Sequence, residues 1–313
     1  MILDQVGEVG VAVVAGKGGV GSSTVAAALA LAAARNGADV LFVSVDGKPG
    51  IGPLLGGREL DENEHILRKI RGAGRVRGRT IPAEQAFGDY LELRGVGGLL
   101  RRAAAASSLG MIAAATPGLE HLLVLGKIKE LERDGAADLI VVDAPPAGNA
   151  VPFLRSATGL VDVVNSGAVR DQADEVDELL RDPQRCAAMV VTLAEETPVN
   201  ESIELADELV TDVGIAMLPV VANGCWPDRP GLARTPLGAA RVQKHSLSAD
   251  ARQVLESSSS FGGALLQRQE RQLSRLHKHF DHVVTLPRLP TARLALHHLT
   301  VLADALDDGE EQS

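Results

Sequence analysis

The stretch from Gly16 to Thr24 reads GKGGVGSST. Glycines this closely spaced let consecutive backbone N–H groups turn inward, as a cradle for phosphate oxygens requires. A helix starting directly behind such a loop adds the positive end of its dipole. The general pattern is GxxxxGK[ST], whose Lys reaches the β- and γ-phosphates and whose hydroxyl binds magnesium. Gly16 and Gly21 occupy the glycine positions and Ser23, followed by Thr24, the magnesium position. Ser22 stands in the lysine position, while Lys17 directly follows the first glycine. The competing reading is an ordinary Gly-rich turn carrying one exposed lysine. A unit charge missing about 4 Å from a phosphate forfeits roughly 4 kcal/mol at an effective dielectric of 20. Lys48 reads as a solvated loop lysine, with partial compensation for Ser22 as its alternative.

Such a loop works only between a strand and a helix. Glu8 to Ala15 alternates Val with small residues and reads as a buried strand, Ser23 to Asn36 as an Ala- and Leu-rich helix stopped by Gly37, and Val40 to Val45 as a second strand closing at Asp46. Together they predict a right-handed βαβ unit. A mainly helical stretch follows at about 82–133, its last helix capped by Thr116 with Pro117 at the first position. DLIVVD at 138–143 is an apolar strand ending in Asp143. Further strands are expected at 161–164, 187–192, 217–222 and 282–286, and helices at 198–210, 264–279 and 291–306. This alternation predicts one α/β domain over 1–313: a doubly wound, mostly parallel sheet with a helical insertion at 82–133 and ligands at the C-terminal strand ends.

Composition narrows the partners. The chain is 45% hydrophobic but only 2% aromatic, so its core must be built from Ala, Val, Leu and Ile. No apolar run approaches the roughly 20 residues that cross a bilayer, and the N-terminus has no signal-like segment. A cytoplasmic protein that is not integral to a membrane is expected. Cys186 and Cys225 are isolated and suggest neither a disulfide framework nor a zinc site. A net charge of −10 argues against a nucleic-acid partner. The basic run Arg68, Lys69, Arg71, Arg75, Arg77 and Arg79 reads as a solvated edge hairpin, with a patch for an acidic partner or anionic lipid as the alternative.

The loop with its extra lysine resembles the deviant P-loop of the ParA, MinD and ArsA group of dimeric ATPases, and hence a P-loop NTPase fold. Within the group the chain is most similar to the ArsA branch, which includes arsenite-type ATPases and targeting factors for tail-anchored membrane proteins. The similarity extends through PGLEHLLVLGKIKELER at 117–133, DLIVVDAPPAGNA at 138–150, VTLAEETPVNESIELADEL at 191–209, VVANG at 220–224 and LPRLP at 286–290. The resemblance implies ATP and magnesium as ligands. Gly16, Gly18, Gly19, Val20, Gly21, Ser22, Ser23 and Thr24 would hold the phosphates, Asn223 would bond the adenine, and Pro287, Arg288 and Leu289 would line its pocket. Ser23, Asp46 and Asp143 would serve magnesium, the acids through water. Asp143 would also organise the attacking water, and Lys17 would cross the dimer interface to the partner's phosphates.

Departures from the family pattern carry equal weight. DGKPGIGPLLG at 46–56 keeps Asp46 but places Pro53 where the water-positioning acid belongs, and proline has neither a carboxylate nor an N–H. Asn149 replaces the family's His, and the metalloid-binding cysteines of the arsenite branch have no counterpart, which disfavours an arsenite pump. With Ser22 and Pro53 both altered, the chain's own site is expected to hydrolyse slowly or not at all. A homodimer and a heterodimer with a related intact ATPase both follow, the latter preferred, with Lys17 donated in trans. The alternatives are a nucleotide-dependent targeting chaperone for hydrophobic membrane-protein tails and a non-hydrolysing scaffold.

Overall fold

The computed structural model describes residues 2–93, 118–163, 165–233 and 235–308. A short helix α1 (Ile2–Gly7) precedes strand β1 (Val11–Gly16), helix α2 (Ser22–Arg35) and strand β2 (Asp39–Ser44). A single turn α3 (Ile51–Leu54) leads to strands β3 (His65–Lys69) and β4 (Arg75–Thr80), then to helices α4 (Ala83–Leu93) and α5 (Leu119–Arg133). Strand β5 (Leu139–Asp143) is followed by helices α6 (Ala147–Val163) and α7 (Ala168–Arg181). Next come strand β6 (Cys186–Leu193), helix α8 (Glu196–Glu208), and strands β7 (Ala216–Met217) and β8 (Val220–Cys225). Helices α9 (Pro236–Val242) and α10 (Ala249–His279), strand β9 (Val283–Pro287) and helix α11 (Leu296–Asp308) complete the chain. The expected cap at Thr116 and Pro117, and the rest of 94–117, lie outside the described residues.

Among the described residues, nine strands form one sheet in the order β3-β4-β2-β5-β1-β6-β8-β9, with β7 also on β6. Every pairing is parallel except the β3–β4 hairpin. The central strands are buried on both faces, which is why they read as continuous apolar runs. Period-two alternation divides them between two cores. Ala12, Val14, Phe42, Val141 and Met189 face α1, α2 and α11. Val11, Val13, Leu41, Ile140, Val142 and Val190 face α5, α6, α7 and α8. The result is a three-layer α/β sandwich, the doubly wound architecture that the strand–helix alternation implied.

The low aromatic content is most visible in α2. From Val25 to Ala34 the helix is buried on all sides between the sheet and α11. Alanine is the best helix former and has almost no side chain to clear, so the helix can lie close to both neighbours. No helix among the described residues is long and apolar enough to cross a membrane.

Three expectations are corrected. Residues 161–163 are not a strand but the last turn of α6, whose Phe153, Leu154, Ala157 and Leu160 are buried at helical spacing. A short apolar run cannot be assigned to strand or helix by periodicity alone. The expected strand 217–222 is broken at Pro219 into β7 and β8. Helix α10 begins at Ala249, capped by the Ser248 hydroxyl, which accepts from the Ala251 N–H at 3.2 Å. Its serine- and glycine-rich first half, with little core-facing pattern, had hidden it.

The basic run does form an edge hairpin, yet part of it is not solvated. β4 lies inside the edge, beside β2, so Arg75 and Arg77 both reach Asp39, at 2.6 and 2.9 Å, and Arg77 also pairs with Glu64. The Arg77 side chain is only 11% exposed. The guanidinium of Arg75 holds the Asp39 carboxyl below the ordinary aspartate range. These pairs leave Arg75 and Arg77 engaged within the fold.

Ala28 is completely buried in α2. Ala28→Leu should overpack the helix against the sheet and lower stability by about 1–3 kcal/mol. Urea unfolding of both proteins measures the difference, and an unchanged midpoint would show that the alanine face has slack.

Candidate functional site

β1 lies between β5 and β6, and the chain departs from it to β2, β4 and β3 on one side and to β8 and β9 on the other. A crevice therefore opens beyond the C-terminal end of β1, the usual ligand position in such sheets. The glycine loop emerges there. Gly21 precedes α2 at φ 86°, and a Cβ on it would stand 2.4 Å from Asn223 Nδ2, so both backbone shape and close approach require glycine. Gly16 is as constrained, since a Cβ there would lie 2.7 Å from the Val191 carbonyl oxygen. The loop, Lys48 and Pro146 enclose a cavity of about 270 Å³.

The register that pairs Val14 with Asp143 places the acid beside this cavity. Ser23 Oγ donates to Asp143 Oδ1 at 2.9 Å, joining residues 120 apart in the chain. Lys48 extends into the same space, donating to Ser23 Oγ at 3.0 Å and to Asp143 Oδ1 and the Ala144 carbonyl at 3.4 Å each. Asp143 is 1% exposed, and its Oδ2 has no hydrogen-bond partner. Burial pushes its carboxyl above the ordinary aspartate range, against the pull of the Lys48 ammonium and the Ser23 hydroxyl.

A serine hydroxyl, a buried carboxylate and an orphaned carboxylate oxygen are the right donor types for magnesium. Their arrangement does not fit the ion as it stands, because the Lys48 ammonium lies against both Ser23 Oγ and Asp143 Oδ1. Asp46 is exposed and does not join them; it acts on Asp143 only as a weak like charge. No cluster of three or more His, Cys, Asp or Glu suited to a metal occurs among the described residues.

Other expected site residues are distributed around the crevice. Lys17 lines the cavity and is 38% exposed, its ammonium 3.7 Å from Glu201 on α8. Asn223 touches the loop, donating to the Val20 carbonyl at 2.8 Å. Pro287 pairs with Cys225 across β8 and β9, and Arg288 stacks 4.6 Å above the ring of Trp226. Leu289 is half-buried against the α2 side of the core. Pro53, in α3, and Asn149, in the first turn of α6, are both exposed. Sequence reasoning assigned Lys48 to solvent and missed Glu201 and Trp226. Lys48 carried a usable signal, a cation two residues beyond the acid, Asp46, that follows the second strand. Nothing local marked the other two.

A parallel sheet with this loop at its switch point and an acid on the neighbouring strand defines a P-loop ATPase domain. Residues 9–167, about half of the chain, match the family described as anion-transporting ATPase, the ArsA ATPase family, and the chain belongs to that family. It is similar to ATPase BagA of Mycobacterium tuberculosis, with 39% identity over 206 residues covering 63% of this chain and 59% of the relative. It is also similar to the arsenical pump-driving ATPase of Escherichia coli, with 26% identity over 213 residues covering 64% and 32% respectively. The chain thus matches less than two thirds of the length of either relative. Membership of the family implies nucleotide binding, in general with magnesium.

Because the folded pKa of Asp143 is raised, the native state holds that proton more tightly than the unfolded chain. The associated stabilisation is present below the unfolded aspartate value, about 3.9, and is lost as pH rises through the folded value. Asp143→Asn should remove this component. Urea unfolding between pH 4 and 7 should show a smaller decline for the variant than for the wild type, and parallel curves would mean that Asp143 is not desolvated as described.

Proposed function

We propose that the chain binds ATP at the Gly16–Thr24 loop and serves as one subunit of a cytoplasmic ATPase dimer that opens and closes with nucleotide. The observation carrying this reading is the convergence of Ser23 and Asp143, 2.9 Å apart, beside a glycine-lined cavity that Ser23 helps to line. Its own hydrolysis is weak, for two reasons. Ser22 brings no charge to the phosphates, and Pro53 brings no carboxylate to the water. A steady-state phosphate-release assay should therefore find the isolated chain turning over far more slowly than a relative with both groups, and ordinary turnover would overturn this part.

Lys17 is the group offered to a partner, preferably a related intact ATPase in a heterodimer and otherwise a second copy. Its ion pair with Glu201 is half-exposed and so weakly held. A lysine on a flexible stem is suited to exchanging that carboxylate for a phosphate on another chain. Closure of the dimer and nucleotide binding then favour each other by the same factor. Lys17→Ala should leave the fold intact and depress hydrolysis at the partner's site by ~10³, if it acts as an arginine finger does. Turnover of the mixed proteins is the measurement, and unaltered turnover would return Lys17 to the status of an ordinary loop lysine.

The base would lie between Asn223 and Pro287–Leu289, beside the Arg288–Trp226 stack. Trp226 is the chain's single tryptophan. Saturating ATP should shift its emission, and Arg288→Ala should change the amplitude. A flat emission at a concentration where calorimetry shows binding would place the base elsewhere.

One observation favours a second reading, a targeting chaperone for hydrophobic tails. A cavity of about 720 Å³ between α9 and α10 is lined by apolar residues including Leu232, Leu255, Leu266 and Phe261, the last 73% exposed. Large exposed apolar surfaces of this kind mark binding sites.

A further inference from the structure

The ammonium of Lys48 is held in the loop cavity by three acceptors, Ser23 Oγ at 3.0 Å and Asp143 Oδ1 and the Ala144 carbonyl oxygen at 3.4 Å. A lysine has three N–H donors, so this set matches its capacity. Its side chain is 29% exposed and that of Asp143 fully buried, so the charge sits at the boundary between the acid and the cavity. Two of its three partners are the hydroxyl and the acid that a phosphate loop ordinarily turns toward a divalent ion. The other cation lining the cavity, Lys17, is directed to Glu201. Ser22 contributes no charge. Lys48 is therefore the positive group already in place where phosphate oxygens would enter, and an ammonium and a divalent ion cannot share that position without strong mutual repulsion.

We propose that Lys48 is a built-in counter-ion of this site, taking the place at Ser23 and Asp143 that magnesium occupies in an ordinary phosphate loop and supplying the charge absent at Ser22, so that nucleotide binds without a tightly held divalent ion. The inference rests on the reading of the loop as a nucleotide site and specifies how that site is charged. It also explains why a carboxylate as buried as Asp143 is tolerated with one oxygen unpartnered: its other oxygen is neutralised from within the chain.

The test is calorimetry of ATP binding to the full chain in excess magnesium and in EDTA, for the wild type, Lys48→Met and Lys48→Arg. Wild-type affinity should differ by less than about threefold between the two conditions, because the resident charge is covalently supplied. Lys48→Met should bind at least ~10-fold more weakly in EDTA and regain affinity with magnesium, while Lys48→Arg keeps its binding in EDTA. Manganese titration of the nucleotide complexes, followed by electron paramagnetic resonance, should show protein-bound ion in Lys48→Met and little in the wild type. Thermal unfolding establishes that each variant is folded, and if Lys48→Met is not, the wild-type comparison between magnesium and EDTA, with the manganese titration of the wild type, decides the proposal. Wild-type binding that falls ~10-fold or more in EDTA, or a folded Lys48→Met that behaves as wild type, would overturn the proposal while leaving the nucleotide site standing. Absence of ATP binding by the wild type in both conditions would overturn both.

Discussion

The site rests on the parallel pairing of β1 with β5. With Val14 in register with Asp143, the acid leaves its strand beside the point where β1 turns into the glycine loop. The Ser23 hydroxyl, at the start of α2, then meets a carboxylate from a strand more than a hundred residues further along the chain. Parallel neighbours need a crossover, and here the crossover between β1 and β5 includes β2, the hairpin, α4 and α5.

Charge is the second constraint. Removing the Asp143 carboxylate from water disfavours its ionised form, and the native structure offsets this with a hydroxyl and an ammonium rather than with backbone N–H groups. The ammonium comes from the loop after β2, the strand on the other side of β5, whose Ser44 is in register with Asp143. Two strands flanking the same acid thus deliver the hydroxyl and the cation. The same logic of opposite charges across strands appears away from the site, where Asp39 on β2 holds Arg75 and Arg77 on β4. Cysteine plays no part in this chemistry, since burial pushes the thiols of Cys186 and Cys225 to about 12 and about 11.

Packing and function are linked through α2. Its N-terminus supplies the loop's last residues, and its alanine-rich body lies fully buried between the sheet and α11. Packing on all sides anchors the helix whose first residues line the cavity. The Lys17–Glu201 pair beside it is half-exposed and therefore solvent-screened and weakly held.

What the sequence by itself determined is local. The strand–loop–helix–strand unit, the glycine spacing, Asp143 at a strand end and the doubly wound alternation all follow from short-range pattern, because buried parallel strands and glycine turns leave continuous signatures. The missing lysine is legible in the same way, since Ser22 is a departure from the loop's spacing, whereas Pro53 stands out only through the resemblance to the family. What only the tertiary structure decided depends on residues distant in sequence. Lys48 reads as a solvated loop residue until β2 and β5 bring its ammonium to Ser23 and Asp143. Arg77 reads as surface until β4 is placed inside the sheet edge. Residues 161–163 read as a strand until α6 buries the residues before them against the sheet. In each case the decisive energy is a contact across the fold, and a contact of that kind has no period and no spacing in the chain.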